Sequence, residues 1–509
     1  HKLPEVTGLR GLFFGLGMAA MIAGLTHALI SLLNARRLLK PVLSLFLLSA
    51  ASGAYFMMSY GIVIDPTMIQ NVTQTDPREA ADLLNWRMLV ALGLLGVLPI
   101  WLVWQIPQKP MGALRSVASH GVSVPLSIAL MVLSLLAIYQ DFASVMRNHT
   151  QIRYLINPLN SFYALGKVAA QPLQRENKTI LPLGEDAQLH LSAGQAPATI
   201  VLVLGETARM GNFGINGYER DTTPRLAQAS VVSLRGVLSC GTSTAASVPC
   251  MFSHLGRDGY DKRAANHETV LDVLQRAGLA VLWVDNQSGC KGVCDRVAQA
   301  STSELKLSPY CDSGECHDEV MLHDLQTRIA QLPAERRAKG TVIVMHQMGS
   351  HGPAYYKRSP AAFKKFVPEC TSNALQECSR EQVLNAYDNT IVYADHFLAE
   401  TIEWLKRQKG PSALMYVSDH GESLGENNLY LHGLPYAVAP DVQKRVAWIN
   451  WFSGSFEAQR QIHVACLRQK VQEPLSHDNY FHSVLGLAGV STSVYRRELD
   501  VFASCRSGP

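Results

Sequence analysis

Four long runs of uncharged residues constrain this chain more than any other feature of its sequence. Residues 11–33, 41–64, 88–106 and 121–139 contain no Lys, Arg, Asp or Glu. As an α-helix, each run is long enough to cross the ~30 Å of hydrocarbon in a bilayer. Four buried helices of a soluble protein are the alternative, but runs of this length and composition are far more typical of membrane spans. We therefore predict an α-helical transmembrane domain over residues 1–140.

The charges between these runs predict the orientation of the domain. The connections at residues 34–40 and 107–120 carry Lys and Arg, whereas residues 65–82 carry mostly Asp and Glu. Because basic connections stay in the cytoplasm, both the start of the sequence and everything after residue 140 should lie outside it. The sequence begins with His rather than Met, so we expect one further span to precede residue 1.

The cysteines agree with an external location for the second half of the chain. All ten lie at or between Cys240 and Cys505, and an even number in an oxidising compartment predicts disulfides. Zinc bound by thiolates is the less favoured alternative. One connectivity, based on nearest neighbours, pairs Cys240 with Cys250, Cys290 with Cys294, Cys311 with Cys316, Cys370 with Cys378, and Cys466 with Cys505.

Beyond a polar segment at residues 141–194, which we interpret as an interfacial connector, the sequence pattern changes. Residues 195–509 contain short apolar runs that each lead into polar residues, as expected for the buried strands of an α/β domain with a mostly parallel sheet. The formal net charge of +4 and the absence of a dense basic run argue against a nucleic-acid partner. The predicted strands lie in the runs TIVLVLGETAR, AVLWVDNQS, TVIVMHQMGSHG, ALMYVSDHGES and RVAWINWF.

Polar residues follow several of these predicted strands. Glu206 ends the first run and Asp285 ends the second; His346 and His351 follow the third, and Asp419 with His420 end the fourth. In α/β folds the chemistry gathers at the carboxyl ends of the parallel strands. Carboxylate oxygens and imidazole nitrogens bind borderline cations such as zinc, so a metal site is predicted here, although any one of these residues alone is also typical of a helix cap or a solvated strand end.

A nucleophile for such a site is available in the stretch CGTSTAASVPCMF. Thr242, Ser243, Thr244 and Ser247 follow Gly241 at a predicted helix start, where helix amino ends attract anions. A hydroxyl bound to a divalent cation there can ionise at neutral pH. Simple N-capping is the alternative, and it is compatible with catalysis at the same position.

At this point the sequence resembles the lipid A phosphoethanolamine transferases, which include the EptA type and the mobile colistin-resistance enzymes of the alkaline phosphatase superfamily. The resemblance runs from about residue 50 to the end and implies a sulfatase-like α/β domain. The matching blocks are GIVID, NVTQTDPREA, LGETAR with NGY, CGTSTAASVPCMF, SGCKGVCDRV, GSHGP, AYDNT, SDHGESLGEN and LHGLPYA.

The resemblance implies that Thr242 is the nucleophile and also binds zinc. Glu206, Asp419 and His420 would complete the zinc site, although a shell rich in oxygen also suits Mn²⁺. A second zinc ion is possible in this family. His351 and His432 match pocket residues that would stabilise phosphoryl oxygens, protonate a leaving group or bind that second metal; loop histidines without a role are the alternative for both.

Further family positions concern the donor substrate. Asn71, Thr75 and Glu79 match residues that recognise the ethanolamine head group, yet the segment around Glu79 is also typical of a helix capping box that needs no ligand. Ser288 and Lys291 match other substrate contacts, with ordinary surface residues as the alternative.

The resemblance implies the following reaction. Phosphoethanolamine passes from phosphatidylethanolamine to the hydroxyl and then to a lipid A phosphate, which would confer resistance to polymyxin and other cationic peptides. The protein would be a multi-pass bacterial inner-membrane protein, expected to be a monomer, with its catalytic domain in the periplasm. Transfer to lipopolysaccharide core sugars, a metal-dependent sulfatase or phosphodiesterase, and a non-catalytic envelope sensor are the alternatives; the usual sulfatase nucleophile motif is missing from CGTSTAAS.

Overall fold

The chain divides into two compact units, one largely helical and one α/β. The first comprises His1–Ile69 and Leu84–Ala170, and the second comprises Gln70–Leu83 and Gln171–Pro509. The computed structural model describes residues 7–32, 38–74, 77–108, 113–148, 154–174, 179–190, 194–302, 305–312 and 315–506. Residues 70–83 therefore belong to the α/β unit, although the sequence places them between two membrane spans. The interfacial role of residues 141–194 stays a prediction.

Among the described residues, the helical unit contains four helices long and apolar enough to cross a membrane, which confirms the predicted spans. They are Gly8–Leu32, Leu39–Tyr60, Trp86–Gln105 and His120–Ala137. The first and fourth pack along each other, and His27 of the first hydrogen-bonds with Ser127 of the fourth at 2.7 Å. The other helices before residue 175 are Pro66–Gln74, Pro77–Asp82, Tyr139–Asn148 and Leu159–Gln174.

A seven-stranded sheet forms the centre of the α/β unit. Its strands in chain order are β1 (Ala198–Gly205), β2 (Val232–Leu234), β3 (Ala280–Asp285), β4 (Ala298–Ser301), β5 (Gly340–His346), β6 (Ser412–Ser418) and β7 (Trp448–Phe452). They lie in the order β2-β7-β6-β1-β5-β3-β4. Strands β6, β1, β5, β3 and β4 are parallel, whereas β7 is antiparallel to both of its neighbours.

The burial of the strands explains why the sequence predicted them well. Strands β3, β5, β6 and β7 are buried at every residue, and β1 at all but one. Sheets covered on both faces have continuous apolar strands rather than alternating ones. All five predicted strands are confirmed. The two edge strands, β2 and β4, were not predicted because they are only three and four residues long and β4 is mostly exposed.

Several helices pack against the strands of the sheet. The longest, Arg380–Lys406, starts with a capping box in which Ser379 and Gln382 each accept the other's backbone N–H. Trp283, Trp448 and Phe252 are among the largest side chains of the core. The other α-helices are Pro224–Gln228, Thr244–Met251, Gly256–Asp261, Val270–Arg276, Leu325–Ala330, Ala334–Arg337, Asp441–Lys444, Gly454–Arg460, Val464–Gln469 and Tyr480–Ala488.

Five disulfides close loops of the α/β unit, and all five predicted pairs are confirmed. None of the ten cysteines is free, so the alternative of a thiolate zinc site is wrong. The bonds are Cys240–Cys250, Cys290–Cys294, Cys311–Cys316, Cys370–Cys378 and Cys466–Cys505.

Candidate active site

The candidate site lies at the carboxyl ends of two neighbouring parallel strands. Ser418, the last residue of β6, pairs with Gly205, the last residue of β1. Glu206 therefore leaves its strand beside Asp419 and His420, and the Asp419 N–H donates to the Gly205 carbonyl at 2.9 Å. All three side chains are completely buried. The sheet register thus brings together residues that are more than 200 positions apart in sequence.

Glu206, Asp419 and His420 form a cluster suited to a metal ion. One ligand atom from each lies within 4.8 Å of the others. His420 Nε2 is 3.5 Å from Glu206 Oε1 and 3.3 Å from Asp419 Oδ2. Asp419 Oδ1 accepts from the backbone N–H groups of Thr207 and His420, whereas Oδ2 accepts no hydrogen bond from any residue that the structure describes. A buried carboxylate oxygen left open toward two other donors fits a cation.

The charges of this cluster also favour a bound cation. Burial, together with the charge of Glu206, raises the pKa of Asp419 to about 7. Burial opposes a charge on His420, but the carboxylates of Asp419 and Glu206 raise its pKa to about 10. The same histidine holds the pKa of Glu206 below its usual range despite burial. Two buried carboxylates thus require a positive partner, which a divalent cation can supply while leaving the imidazole neutral.

The hydroxyl nearest this cluster belongs to Thr244 and not to Thr242, which corrects the prediction. Thr244 Oγ1 is 3.1 and 3.2 Å from the two Glu206 carboxylate oxygens and 3.4 Å from His420 Nε2. Thr242 Oγ1 instead donates to the Leu434 carbonyl at 2.6 Å. The reason is where the helix starts: Thr242 lies two residues before the helix Thr244–Met251, whereas Thr244 is its first residue. Sequence alone had offered both hydroxyls.

The loop after β5 packs directly on the cluster. The Ser350 N–H donates to the Glu206 carbonyl at 3.0 Å. Gly349 has a φ of +51° and lies so close to Glu206 that a Cβ would be 2.8 Å from its carbonyl oxygen. A side chain at Gly349 would therefore push away the loop that carries His351.

The two predicted pocket histidines lie together at this site. The ring centres of His351 and His432 are 5.9 Å apart, and that of His432 is 4.3 Å from the ring of His420. His432 Nδ1 lies 3.2 Å from a carboxylate oxygen of the buried Glu422. Burial raises the pKa of Glu422 to about 8. Sequence analysis missed Glu422, although it follows His420 by two residues in SDHGES.

A hydrogen-bonded chain connects the cluster with Ser288 and Lys291. Gln287 Nε2 donates to Glu206 Oε2 at 3.2 Å, and the Ser288 hydroxyl donates to Gln287 Oε1 at 2.5 Å. Lys291 Nζ donates to the Ser288 hydroxyl at 2.9 Å. Gln287 was not predicted because only the tertiary structure shows that it faces Glu206.

The other predicted positions are less directly connected to the cluster. His346 Nδ1 lies 3.1 Å from Asp285 Oδ2, and the two form a buried pair at the ends of β5 and β3. Asn71 lies in the helix Pro66–Gln74. Thr75 and the side chain of Glu79 lie outside the described residues, so their roles stay predictions.

Comparison with known proteins agrees with this architecture. Residues 198–490 match the sulfatase family, and residues 22–173 match the N-terminal family of the phosphoethanolamine transferases EptA and EptB. The phosphoethanolamine transferase EptA of Escherichia coli K12 is 42% identical over 519 residues, which cover 99% of this chain and 92% of that protein. The phosphatidylethanolamine transferase Mcr-1 of Escherichia coli is 40% identical over 86% of this chain and 83% of its own.

A solved structure shows the same likeness in three dimensions. The integral membrane protein lipooligosaccharide phosphoethanolamine transferase A of Neisseria meningitidis superposes with a TM-score of 0.94 at 37% identity, over 99% of this chain and 94% of that one. The predicted fold class is confirmed, as is the prediction of an inner-membrane protein with a periplasmic catalytic domain. Across nearly its whole length, this chain belongs to the EptA family of phosphoethanolamine transferases.

Proposed function

We propose that this protein transfers phosphoethanolamine from phosphatidylethanolamine to a lipid A phosphate, through a covalent intermediate on Thr244. One observation carries the proposal: the Thr244 hydroxyl lies 3.1 to 3.4 Å from Glu206 and His420 at a buried cluster of metal-binding groups. A nucleophile, its metal ligands and a helix start in one place are what phosphoryl transfer requires.

Glu206, Asp419, His420 and the Thr244 oxygen would hold a zinc ion at this site. Carboxylate and hydroxyl oxygens together with one imidazole nitrogen are donors that zinc accepts. The ion would lower the pKa of the hydroxyl and withdraw charge from the phosphoryl oxygens. His420 is suitably oriented as a ligand, because its Nδ1 lies 2.9 Å from the Gly421 carbonyl and leaves Nε2 toward the cluster.

The helix that starts at Thr244 supports the attack on phosphorus. Its first backbone N–H groups have no partners within the helix, and they attract phosphoryl oxygens. The Ser243 hydroxyl is buried and has no hydrogen-bond partner among the described residues, so it is available to the same oxygens. The Glu206 carboxylate accepts from the Thr244 hydroxyl at 3.1 and 3.2 Å and so orients it at the start of this helix.

The reaction consists of two displacements at phosphorus. In the first, the Thr244 oxygen loses its proton and bonds to phosphorus while the bond to the glycerol oxygen breaks, and diacylglycerol leaves with a proton. In the second, an oxygen of the lipid A phosphate bonds to phosphorus and the Thr244 oxygen is released. His432, oriented by Glu422, and His351 are placed to donate the proton or to bind phosphoryl oxygens.

The remaining predicted residues bind the donor head group in this proposal. Lys291, Ser288 and Gln287 form the hydrogen-bonded chain that ends at Glu206. In this proposal the Lys291 ammonium attracts the phosphate of the donor lipid. The ammonium group is bound by Asn71, Thr75 and Glu79, whose carboxylate suits a cation.

The membrane domain brings both lipid substrates to the site. A catalytic domain tethered to the bilayer meets membrane lipids at a high effective concentration. Lipid A modified with a cationic group would bind polymyxin-type peptides more weakly, so expression should raise colistin resistance. We expect the protein to act as a monomer.

The experiment compares two threonine variants of the purified full-length protein, incubated with fluorescent phosphatidylethanolamine. Thr244→Ala should release no diacylglycerol and carry no adduct, whereas Thr242→Ala, the matched control, should remain active. Mass spectrometry of the parent should place one phosphoethanolamine on Thr244. Diacylglycerol release by Thr244→Ala at the parent's rate would refute this nucleophile. Parallel reactions with lipid A, core oligosaccharide and water as acceptors separate the proposed transfer from its alternatives.

A further inference from the structure

The ion pair between Asp82 and Arg358, both almost completely buried, ties the segment 70–83 to the rest of the α/β unit. We propose that Asp82 and Arg358 form a latch that positions the donor-binding part of the active site. Asp82 ends the helix Pro77–Asp82 within this segment. The inference rests on the function proposed above and adds the device that holds this segment in place.

Asp82 forms hydrogen bonds with three residues of the α/β unit. Its side chain is 6% exposed, and one carboxylate oxygen accepts from Lys357 Nζ while the other accepts from Arg358 Nη2 at 2.9 Å. Its backbone carbonyl accepts from Asn373 Nδ2 at 2.8 Å. A buried carboxylate with two cationic partners is fixed in position much more firmly than an exposed one.

Arg358 connects this segment with the His351 loop. Its side chain is only 2% exposed, and Nε donates to the His351 carbonyl at 3.0 Å while Nη1 donates to Glu315. Glu315 lies in the hairpin closed by the Cys311–Cys316 disulfide. One planar guanidinium therefore holds three segments in a fixed arrangement, which the single ammonium of a lysine does not reproduce.

This arrangement links two groups of residues proposed to bind the donor. The first group precedes Asp82 in the segment 70–83 and consists of Asn71, Thr75 and Glu79. The second is His351, whose carbonyl accepts from Arg358. Thr244 and its metal ligands are instead placed by β1, β6 and the helix start. The Ser350 N–H also ties the His351 loop to the Glu206 carbonyl, independently of Arg358. Breaking the latch should therefore weaken donor binding more than it slows the chemical step. Arg358 and Asp82 are positioning residues that act through His351 and segment 70–83.

The test uses Asp82→Asn in the full-length protein, assayed in mixed micelles with phosphatidylethanolamine. The KM for the donor should rise about tenfold while kcat changes by less than about threefold, the pattern expected when only donor binding is weakened. Hydrogen exchange in residues 77–83 should increase, and the zinc content should equal that of the parent. Arg358→Lys should raise KM in the same way, and it supplies the test if Asp82→Asn does not fold.

The double variant and a matched control complete the design. Combining Asp82→Asn with Arg358→Lys should raise KM no further than the larger single effect, because both break one latch. Asp500→Asn removes another buried carboxylate, which pairs with Arg506 at 3.0 Å outside this network, and should lower Tm without changing KM. Unchanged KM and hydrogen exchange in folded variants, or additive effects, would overturn the latch. A parent protein without transferase activity would instead overturn the proposed function.

Discussion

His477, which sequence analysis did not identify, is expected to be essential for the alignment of the active site. The residue is 1% exposed and bridges two segments that carry site residues. The Cys240 N–H donates to its Nδ1 at 3.1 Å, and its Nε2–H donates to the Ser418 carbonyl at 3.0 Å. Cys240 begins the stretch that leads to Thr244, and Ser418 directly precedes Asp419. The His477 ring thus holds the stretch that leads to Thr244 against the end of β6.

The variant His477→Phe keeps an aromatic ring but loses these two hydrogen bonds and the contact of Nδ1 with the Ser247 hydroxyl at 3.2 Å. One buried N–H and one buried carbonyl lose their partners, and because each costs about 1 to 3 kcal/mol, the free energy of unfolding should fall by about 2 to 6 kcal/mol. At about 2 to 4 °C per kcal/mol, Tm should fall by about 5 to 20 °C. A loosened contact between Thr244 and Glu206 should also lower kcat at least ~10-fold.

The assay combines thermal unfolding with diacylglycerol release, and the matched control is His482→Phe. His482 is equally buried, and its Nδ1 accepts one hydrogen bond, from the Arg496 N–H at 3.1 Å. The control should lose about half as much stability and keep its kcat, because Arg496 is not part of the site. A His477→Phe protein with the parent's Tm, or with a lowered Tm and an unchanged kcat, would refute the bridging role.

Three further predictions concern the metal, pH and redox state. Chelation should lower Tm and abolish formation of the phosphoethanolamine adduct, because Glu206 and Asp419 would lose the proposed cation. Added zinc should restore both. Full activity in protein shown to be metal-free would contradict the proposed metal site. Burial lowers the pKa of His477 to about 3 and of His254 and His482 to about 4, from 6.5. At these three histidines the unfolded chain binds more protons than the folded protein below pH 6.5, so their contribution to the free energy of unfolding should fall from pH 6.5 toward 4. The raised pKa values of Asp419 and Glu422 act in the opposite direction, so the test is a difference between two proteins. Measured by urea unfolding, the free energy of unfolding of His482→Phe relative to the parent should increase from pH 6.5 toward 4. Reduction should lower Tm, since each disulfide contributes about 2 to 4 kcal/mol; an unchanged Tm with titratable thiols would argue against this contribution.

Local sequence patterns predict much of the architecture. Membrane helices and buried strands must be apolar over a fixed length, so the four spans and the five longest strands were predictable from single segments. Cysteines close in sequence meet readily, and four of the five disulfides join residues no more than ten positions apart. Residues at strand ends were candidates because a parallel sheet gathers its carboxyl ends along one edge.

Choices between neighbouring residues depended on tertiary structure. Thr242 and Thr244 are chemically identical and two positions apart, and only the start of the helix decides which one faces Glu206. Gln287 and Glu422 became site residues through the packing of separate loops.

By itself, the sequence determined which segments cross the membrane, which form the sheet and which residue types could bind a metal, because these depend on composition and spacing along the chain. Only the tertiary structure decided that Thr244 rather than Thr242 lies beside Glu206 and that residues 70–83 belong to the α/β unit. The physical reason is that hydrogen bonds and ion pairs act over about 3 Å, and the partners at this site are brought within that distance by strand register and loop packing from far apart in the chain.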